Sequence, residues 1–239
     1  MCRIVSYNIH SGIGRDKVQD YRRIGQFLTE SGADIVLLQE MDTRPSERAI
    51  ERDIEDICAG NAFSLVASPA LEEENGWYGN AILTRFKLLH HETLDVSQQG
   101  RQPRNAQLAV LQTEKGPLTV VNTHKGLKTG ERRNQFALLH DFLAARLQQR
   151  PSPLVLAGDF NEWQFFTRAF NALNSLLNQQ RIGPTFPSQF PLFSLDRVWT
   201  SEEIKTVACK KLTNPKARIF SDHLPIQLDI RLPEAAAVE

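Results

Sequence analysis

Cysteine is scarce in this 239-residue chain: Cys2, Cys58 and Cys209 stand far apart, with no C-x-x-C pair. That excludes a disulfide framework and a thiolate zinc site, and it suits a reducing compartment. Neither sign of charge is in excess, because Lys+Arg and Asp+Glu both count 28. A protein built to grip long duplex nucleic acid usually carries a clear positive surplus. Tight duplex binding is therefore disfavoured, although local patches matter more than totals. No apolar run approaches the roughly 20 residues that cross a bilayer, so stable membrane insertion is not expected. The opening MCRIVSYNIH has no basic stretch leading into an apolar one, hence no secretion signal, and the expected location is cytoplasmic. Internal repeats, low-complexity tracts and shifts of composition are also missing. The expectation is a monomer with one domain over residues 1–232 and a frayed tail over 233–239.

What the chain does have is a succession of short apolar runs. Arg3–Ile9 reads as a strand, Asp20–Ser31 as a helix stopped by Gly32, and Asp34–Gln39 as a buried strand. Ser46 reads as the N-cap of a second helix carrying Ile50, Ile54 and Ile57. Strands follow at Phe63–Ala67, Asn80–Thr84, Leu88–Leu94 and Gln107–Thr113, the last turning through residues 114–117 into Leu118–Thr123 as a hairpin. A long helix is expected over Glu131–Gln149, a strand at Leu154–Ala157, a helix near Thr167–Leu177 and an ordered loop over Gly183–Phe193. Val198–Thr200, Thr206–Lys210 and Pro225–Ile230 complete the strands. Roughly ten strands with few long helices predict two packed sheets flanked by helices rather than one open parallel sheet.

Several of these apolar runs end in polar residues that a purely structural strand does not need. They are Asn8 and His10, Gln39-Glu40, Asn122-Thr123-His124, the Asp159, Asn161 and Glu162 of LAGDFNE, Asp196, and Asp222-His223. Any one of them has a bland reading as a turn residue. Strands converging at one edge would instead gather them into a single polar cleft. The set combines acids, amides and imidazoles, with the oxygen donors a hard cation needs.

The motifs SYNIHSG, DIVLLQE, YGNAILTR, NTHKG, LAGDFNE, LDRVW and SDHLPI resemble, in order from Ser6 to Ile226, those of the endonuclease/exonuclease/phosphatase family. The resemblance implies an α+β fold, a four-layer α-β-β-α sandwich of two mixed sheets with helices outside. It implies Glu40 as the principal ligand of Mg²⁺ or Mn²⁺, with Asn8 and Asp222 as nearby direct or water-mediated ligands. Asp159 would orient and deprotonate the attacking water, and Asn161 would donate to a phosphate oxygen. His124 and His223 would sit against the scissile phosphate, one of them aligned by Asp196, with His223 the favoured partner. Arg104, Lys125 and His10 are candidate substrate contacts, and Asn80 is expected to hold either the catalytic groups or the phosphate of the substrate. The apurinic endonucleases carry an acid where this chain has His10, so the site is more similar to the two-histidine deoxyribonuclease and sphingomyelinase branches.

The basic residues Arg101, Arg104, Lys125, Lys128, Arg132 and Arg133 cluster near His124 in sequence. Most are expected to form a solvated face. Trp77-Tyr78 and Trp163 flank family motifs and are expected either to line the pocket mouth or to pack. The function implied is metal-dependent hydrolysis of a phosphate ester, with a nuclease acting on DNA or RNA favoured on family frequency. A lipid or small phosphorylated metabolite is the alternative substrate. A non-catalytic binding protein on the same fold is the alternative class, and the presence of Glu40, Asp159 and His223 speaks against it.

Overall fold

The computed structural model describes residues 1–44, 50–149, 152–164 and 168–233. Twelve strands among them form two six-stranded sheets. The first runs in the order β11 (Lys205–Lys211), β12 (Ile226–Arg231), β1 (Cys2–Asn8), β2 (Ile35–Asp42), β4 (Gly76–Thr84), β3 (Ser64–Glu73). The second runs β5 (Lys87–Asp95), β6 (Asn105–Thr113), β7 (Gly116–His124), β8 (Leu154–Asp159), β10 (Asp196–Thr200), β9 (Asn178–Gln180). Each sheet is antiparallel except for one central parallel pair, β1 with β2 and β7 with β8. A parallel pair needs a crossover, and the two crossovers here are helices α1 (Tyr21–Glu30) and α3 (Thr129–Gln149).

Strand alternation sorts the core into layers. Tyr7, Val36 and Leu38 face outward from the first sheet and meet Tyr21, Ile24, Phe27 and Leu28 of α1 and Ile57 of α2 (Ile50–Ile57). Their neighbours Ile4, Ile35, Leu37 and Ile82 face inward and interlock with Leu111, Val120, Val155 and Val198 of the second sheet. On the far side, Leu108, Val121 and Leu156 meet Phe136, Leu139 and Leu143 of α3. The result is the expected sandwich, two mixed sheets face to face with helices outside. Asp20 caps α1 by accepting a hydrogen bond from Arg23 N at 3.0 Å.

Some expectations are corrected. The helix expected near Thr167–Leu177 is a single turn, α4 (Asn171–Asn174), followed after a three-residue turn by β9. The apolar residues Phe170, Leu173 and Leu177 are buried, but Asn171, Asn174 and Ser175 are poor helix formers that interrupt propagation. The sequence reading had no counterpart for β9 or for α5 (Pro215–Ile219), which starts with Asn214 accepting from Ala217 N and Pro215 at the first helical position. Ser46, Thr167 and tail residues 234–239 lie outside the described residues.

Candidate active site

The two parallel pairs deliver their carboxyl ends to the same place. Asn8 ends β1, Glu40 lies near the end of β2, His124 ends β7 and Asp159 ends β8. In the second sheet the register sets His124 beside Asp159, and Asp159 beside Asp196 at the start of β10. Asp222 and His223 arrive just before β12, which pairs antiparallel with β1. Gly158 makes this register possible: its φ is +150°, and a Cβ there would stand 1.9 Å from Thr123 O. Ser221 ties the last loop in place, its hydroxyl donating to Asn8 O at 2.7 Å and accepting from His223 N at 3.2 Å.

Strain is concentrated here. His10, Glu40 and Asn161 all adopt left-handed backbone, with φ of 48°, 59° and 49°. Such conformations cost on the order of 1–3 kcal/mol each and persist where the surroundings enforce them. Glu40 falls in a β-bulge, where the β2–β4 register shifts between Leu38 and Met41. The bulge turns its carboxylate toward the second sheet.

The cleft so formed has a volume of about 420 Å³ and is lined by His10, Glu40, Arg104, His124, Asp159, Asn161, Asp222 and His223, with Tyr78, Trp163 and Phe186 at its sides. Asn8 Nδ2 donates to both Glu40 Oε1 and Asp159 Oδ2, each at 3.0 Å. Asn8 Oδ1 accepts from His10 N at 3.0 Å. Asn8 therefore presents a donor to the two carboxylates, not the oxygen that direct cation ligation requires. As it stands, Asn8 bridges the two carboxylates beside the candidate cation position. His10 Nδ1 lies 3.7 Å from Glu40 Oε2 and 3.7 Å from Asp222 Oδ2.

His223 is held from both sides. Its Nδ1 is 2.9 Å from Asp196 Oδ2 and its Nε2 is 3.7 Å from Asp159 Oδ2. Asp196 is the partner of His223 and not of His124. Thr185, which sequence reasoning missed, donates its hydroxyl to the same Asp196 oxygen at 2.5 Å. Burial alone would favour neutral imidazole, but Asp196, Asp159 and Asp222 outweigh it and push the His223 pKa up to about 10. Burial likewise pushes the Asp159 carboxyl above the usual range, against the opposing pull of His223. His124 is the opposite case. Burial first, then Arg104 and His223, hold it well below the ordinary histidine range, so it is neutral. The expectation that either histidine carries charge against the phosphate therefore applies to His223. Asn161 Nδ2 donates to Lys125 O at 2.9 Å and approaches His124 Nε2 at 3.2 Å, so it orients His124 as it stands.

Two groupings could hold a cation. Asp159, Asp196 and His223 bring ligand atoms within 4.8 Å of one another. However, the two carboxylates address different nitrogens of one ring, and a single ion can take only one of them. The Glu40–Asp222 side offers two part-exposed carboxylates with His10 between them, and its oxygen-rich donors fit a divalent cation.

One expected substrate contact is corrected, and a second lies behind the cleft. Lys125 is fully buried, its Nζ donating to Gln135 O at 3.1 Å and lying over the Phe136 ring. The side chain leaves the cleft because the strand end turns it under α3, and burial holds its pKa down to about 7. Asn80 is buried as well, its amide donating to Asn105 O and Oδ1 at 3.1 and 2.7 Å. It braces β4 against β6 behind the cleft, on the side of the catalytic groups and away from the phosphate. Arg104 does face the cleft, packed over Tyr78, with one nitrogen 3.3 Å from the Tyr78 hydroxyl. Trp163 both lines the cleft and packs edge-on against Phe186 and Phe193.

Comparison with known proteins agrees with this architecture. Residues 5–223 match the model of the Endonuclease/Exonuclease/phosphatase family. The uncharacterized protein YbhP of Escherichia coli (strain K12) is 31% identical over 177 residues, which is 66% of this chain and 64% of YbhP. The chain thus spans less than two thirds of that relative. The Bacteroides thetaiotaomicron mannosyl-6-phosphatase Bt3783 superposes with a TM-score of 0.81 at 18% identity, over 97% of this chain and 100% of that one. The human Nocturnin catalytic domain, solved with sulfate bound, superposes with a TM-score of 0.74 at 20% identity, over 97% and 94%. At these identities the structures speak for the fold. Together with the sequence match over nearly its whole length, they make this chain a member of the Endonuclease/Exonuclease/phosphatase family, whose enzymes are generally phosphoesterases.

Proposed function

We propose that this protein is a divalent-cation-dependent phosphodiesterase in which an activated water attacks a phosphodiester, with a DNA or RNA strand as the favoured substrate. The observation that carries the reading is the division of labour across one cleft. Carboxylates suited to a cation (Glu40, Asp222) face a buried acid–imidazole–acid array (Asp159, His223, Asp196) in which the pKa values of Asp159 and His223 are both raised.

Asp159, with its raised pKa, is poised to accept the proton of the attacking water near neutral pH. The His223 imidazolium, 3.7 Å away, offsets negative charge on a phosphate oxygen, and Asp196 keeps it charged and aligned. Arg104 adds a fixed positive charge at the cleft wall. Neutral His124, backed by Asn161, supplies a hydrogen bond without competing for the proton. A Mg²⁺ or Mn²⁺ ion at Glu40 and Asp222 supplies Lewis-acid charge to the phosphate when bound.

A lipid phosphodiester is a second reading. It is favoured by Phe190 and Leu192, exposed by 71% and 60% on a loop whose base, Phe186, packs against His223 with ring centroids 4.9 Å apart. Release of p-nitrophenol from bis-p-nitrophenyl phosphate, with Mg²⁺ or Mn²⁺ and again with EDTA, tests the proposal. Cation-dependent release is expected, and no release with either metal rejects it. A panel of DNA, RNA, sphingomyelin and inositol phosphates then separates the two substrate readings.

A further inference from the structure

A second cavity, of about 490 Å³, adjoins the cleft, walled by Thr129, Arg132, Arg133, Phe136, Arg168 and Ala172 together with Glu162. Its walls are tied to those of the cleft by the chain and by a hydrogen bond. Glu162 follows Asn161 in the chain, and Leu127, which lines the cleft, accepts a hydrogen bond from Arg132 Nη1 at 2.5 Å. Three guanidinium groups face one carboxylate here, and the 21-residue helix α3 begins at Thr129, adding the positive end of its dipole.

The wall is built for a ligand it does not itself satisfy. Arg132 is only 3% exposed, with Nη2 3.5 Å from Glu162 Oε1, while its Nε is buried without a hydrogen-bond partner. Arg133 and Arg168 have no side-chain hydrogen bond or ion pair among the described residues, and both are exposed at the rim. Between these cations lies an apolar floor of Phe136, Ala137, Ala169 and Ala172. Guanidinium forks match phosphate oxygens, and the apolar floor, whose Phe136 ring already stacks on Phe160, offers contact area to the sugar and the edge of a base.

We infer that this cavity is a nucleotide subsite, holding a second phosphate and its base from the strand that is being cut next door. The inference rests on the phosphodiesterase reading for its biological sense, but the subsite is testable by binding alone. It also accounts for a net-neutral chain handling a polyanion: the cations needed are local.

The experiment pairs two measurements on the full chain carrying Arg133→Ala and Arg168→Ala together. In EDTA, fluorescence anisotropy with a labelled single-stranded oligonucleotide should report a Kd about 10-fold weaker or more for the double variant, with a salt slope reduced by about one to two. With Mn²⁺, hydrolysis of bis-p-nitrophenyl phosphate, which has one phosphate, should keep its kcat and KM, while KM for the oligonucleotide rises about 10-fold. An unchanged Kd for the oligonucleotide, or an equal loss on both substrates, overturns the subsite. Arginine-dependent oligonucleotide binding in a protein that hydrolyses neither substrate keeps the subsite and sinks the hydrolase, so the two failures are distinguishable.

Discussion

Asp196→Asn removes one charge and leaves the shape of the site unchanged, which isolates what that charge does. In the wild type the carboxylate accepts from His223 Nδ1 at 2.9 Å, and the imidazole is almost wholly buried, with a pKa near 10 instead of 6.5. An opposite charge at that range shifts a titrating group by about 1–3 units, equivalent to about 1.4–4 kcal/mol. The variant should therefore titrate His223 at roughly pH 7–9, still elevated because Asp159 and Asp222 remain. A raised imidazole pKa means that the charged form exists below it and is lost as pH rises through it. The alkaline limb of kcat/KM should consequently move from about 10 in the wild type down by the same amount. Its stabilising contribution to the fold follows the same rule: fully present below about 6.5 and gone above about 10. At pH 9 the variant should lose roughly 2- to 100-fold in kcat/KM, according to whether its imidazole pKa falls to about 9 or to about 7. The assay is a pH–rate profile on bis-p-nitrophenyl phosphate, with the His223 ring followed by NMR. An alkaline limb that stays in place while the NMR titration moves would refute the role given to the imidazolium.

Three further perturbations follow from the same geometry. Lys125→Met should retain activity and stabilise the fold at neutral pH by roughly 1–3 kcal/mol, because the buried ammonium, with its pKa lowered to about 7, costs stability wherever the unfolded chain is still protonated. Urea unfolding should find the variant's advantage over the wild type shrinking as pH rises from 7 toward 10, the His223 contribution being common to both; a loss of phosphodiesterase activity in it would restore Lys125 to the substrate site. Gly158→Ala places a Cβ 1.9 Å from Thr123 O on backbone with φ of +150°, so calorimetry should find it destabilised by at least about 2 kcal/mol; an unchanged Tm contradicts the packing described. Glu40→Ala should abolish Mn²⁺ binding in titration calorimetry while leaving the Tm in EDTA within a few degrees, since the side chain is partly exposed and accepts one hydrogen bond, from Asn8; retained Mn²⁺ affinity removes Glu40 from the cation site.

The arrangement was legible where local pattern and chemistry coincide. Apolar runs such as Ile35–Leu38 and Leu154–Ala157 announced buried strands, and the polar residues ending them marked the edge where two sheets meet. Three features were invisible for physical reasons. The left-handed backbone at Glu40 is imposed by tertiary packing and leaves no signature in residue type, whereas His10 and Asn161 are types that tolerate it. The direction of Lys125 depends on which way a strand end turns under α3, so the same basic residue reads as a cleft cation in sequence and is a buried one in space. Thr185 is a small hydroxyl outside the motifs and Ser221 one inside SDHLPI, and only the fold places them against Asp196 and Asn8. By contrast, Asn214-Pro215 did carry a helix-start signal, which the weak apolar periodicity after it concealed.

The claim beneath the mechanism is that the cation belongs to Glu40 and Asp222 while a proton belongs to His223. Anomalous diffraction from crystals soaked in Mn²⁺ tests it most directly. A peak between the Glu40 and Asp222 carboxylates, with His223 Nδ1 still hydrogen-bonded to Asp196, is the predicted result. A peak bound by Asp196 and a nitrogen of His223, with none at Glu40, would contradict the account.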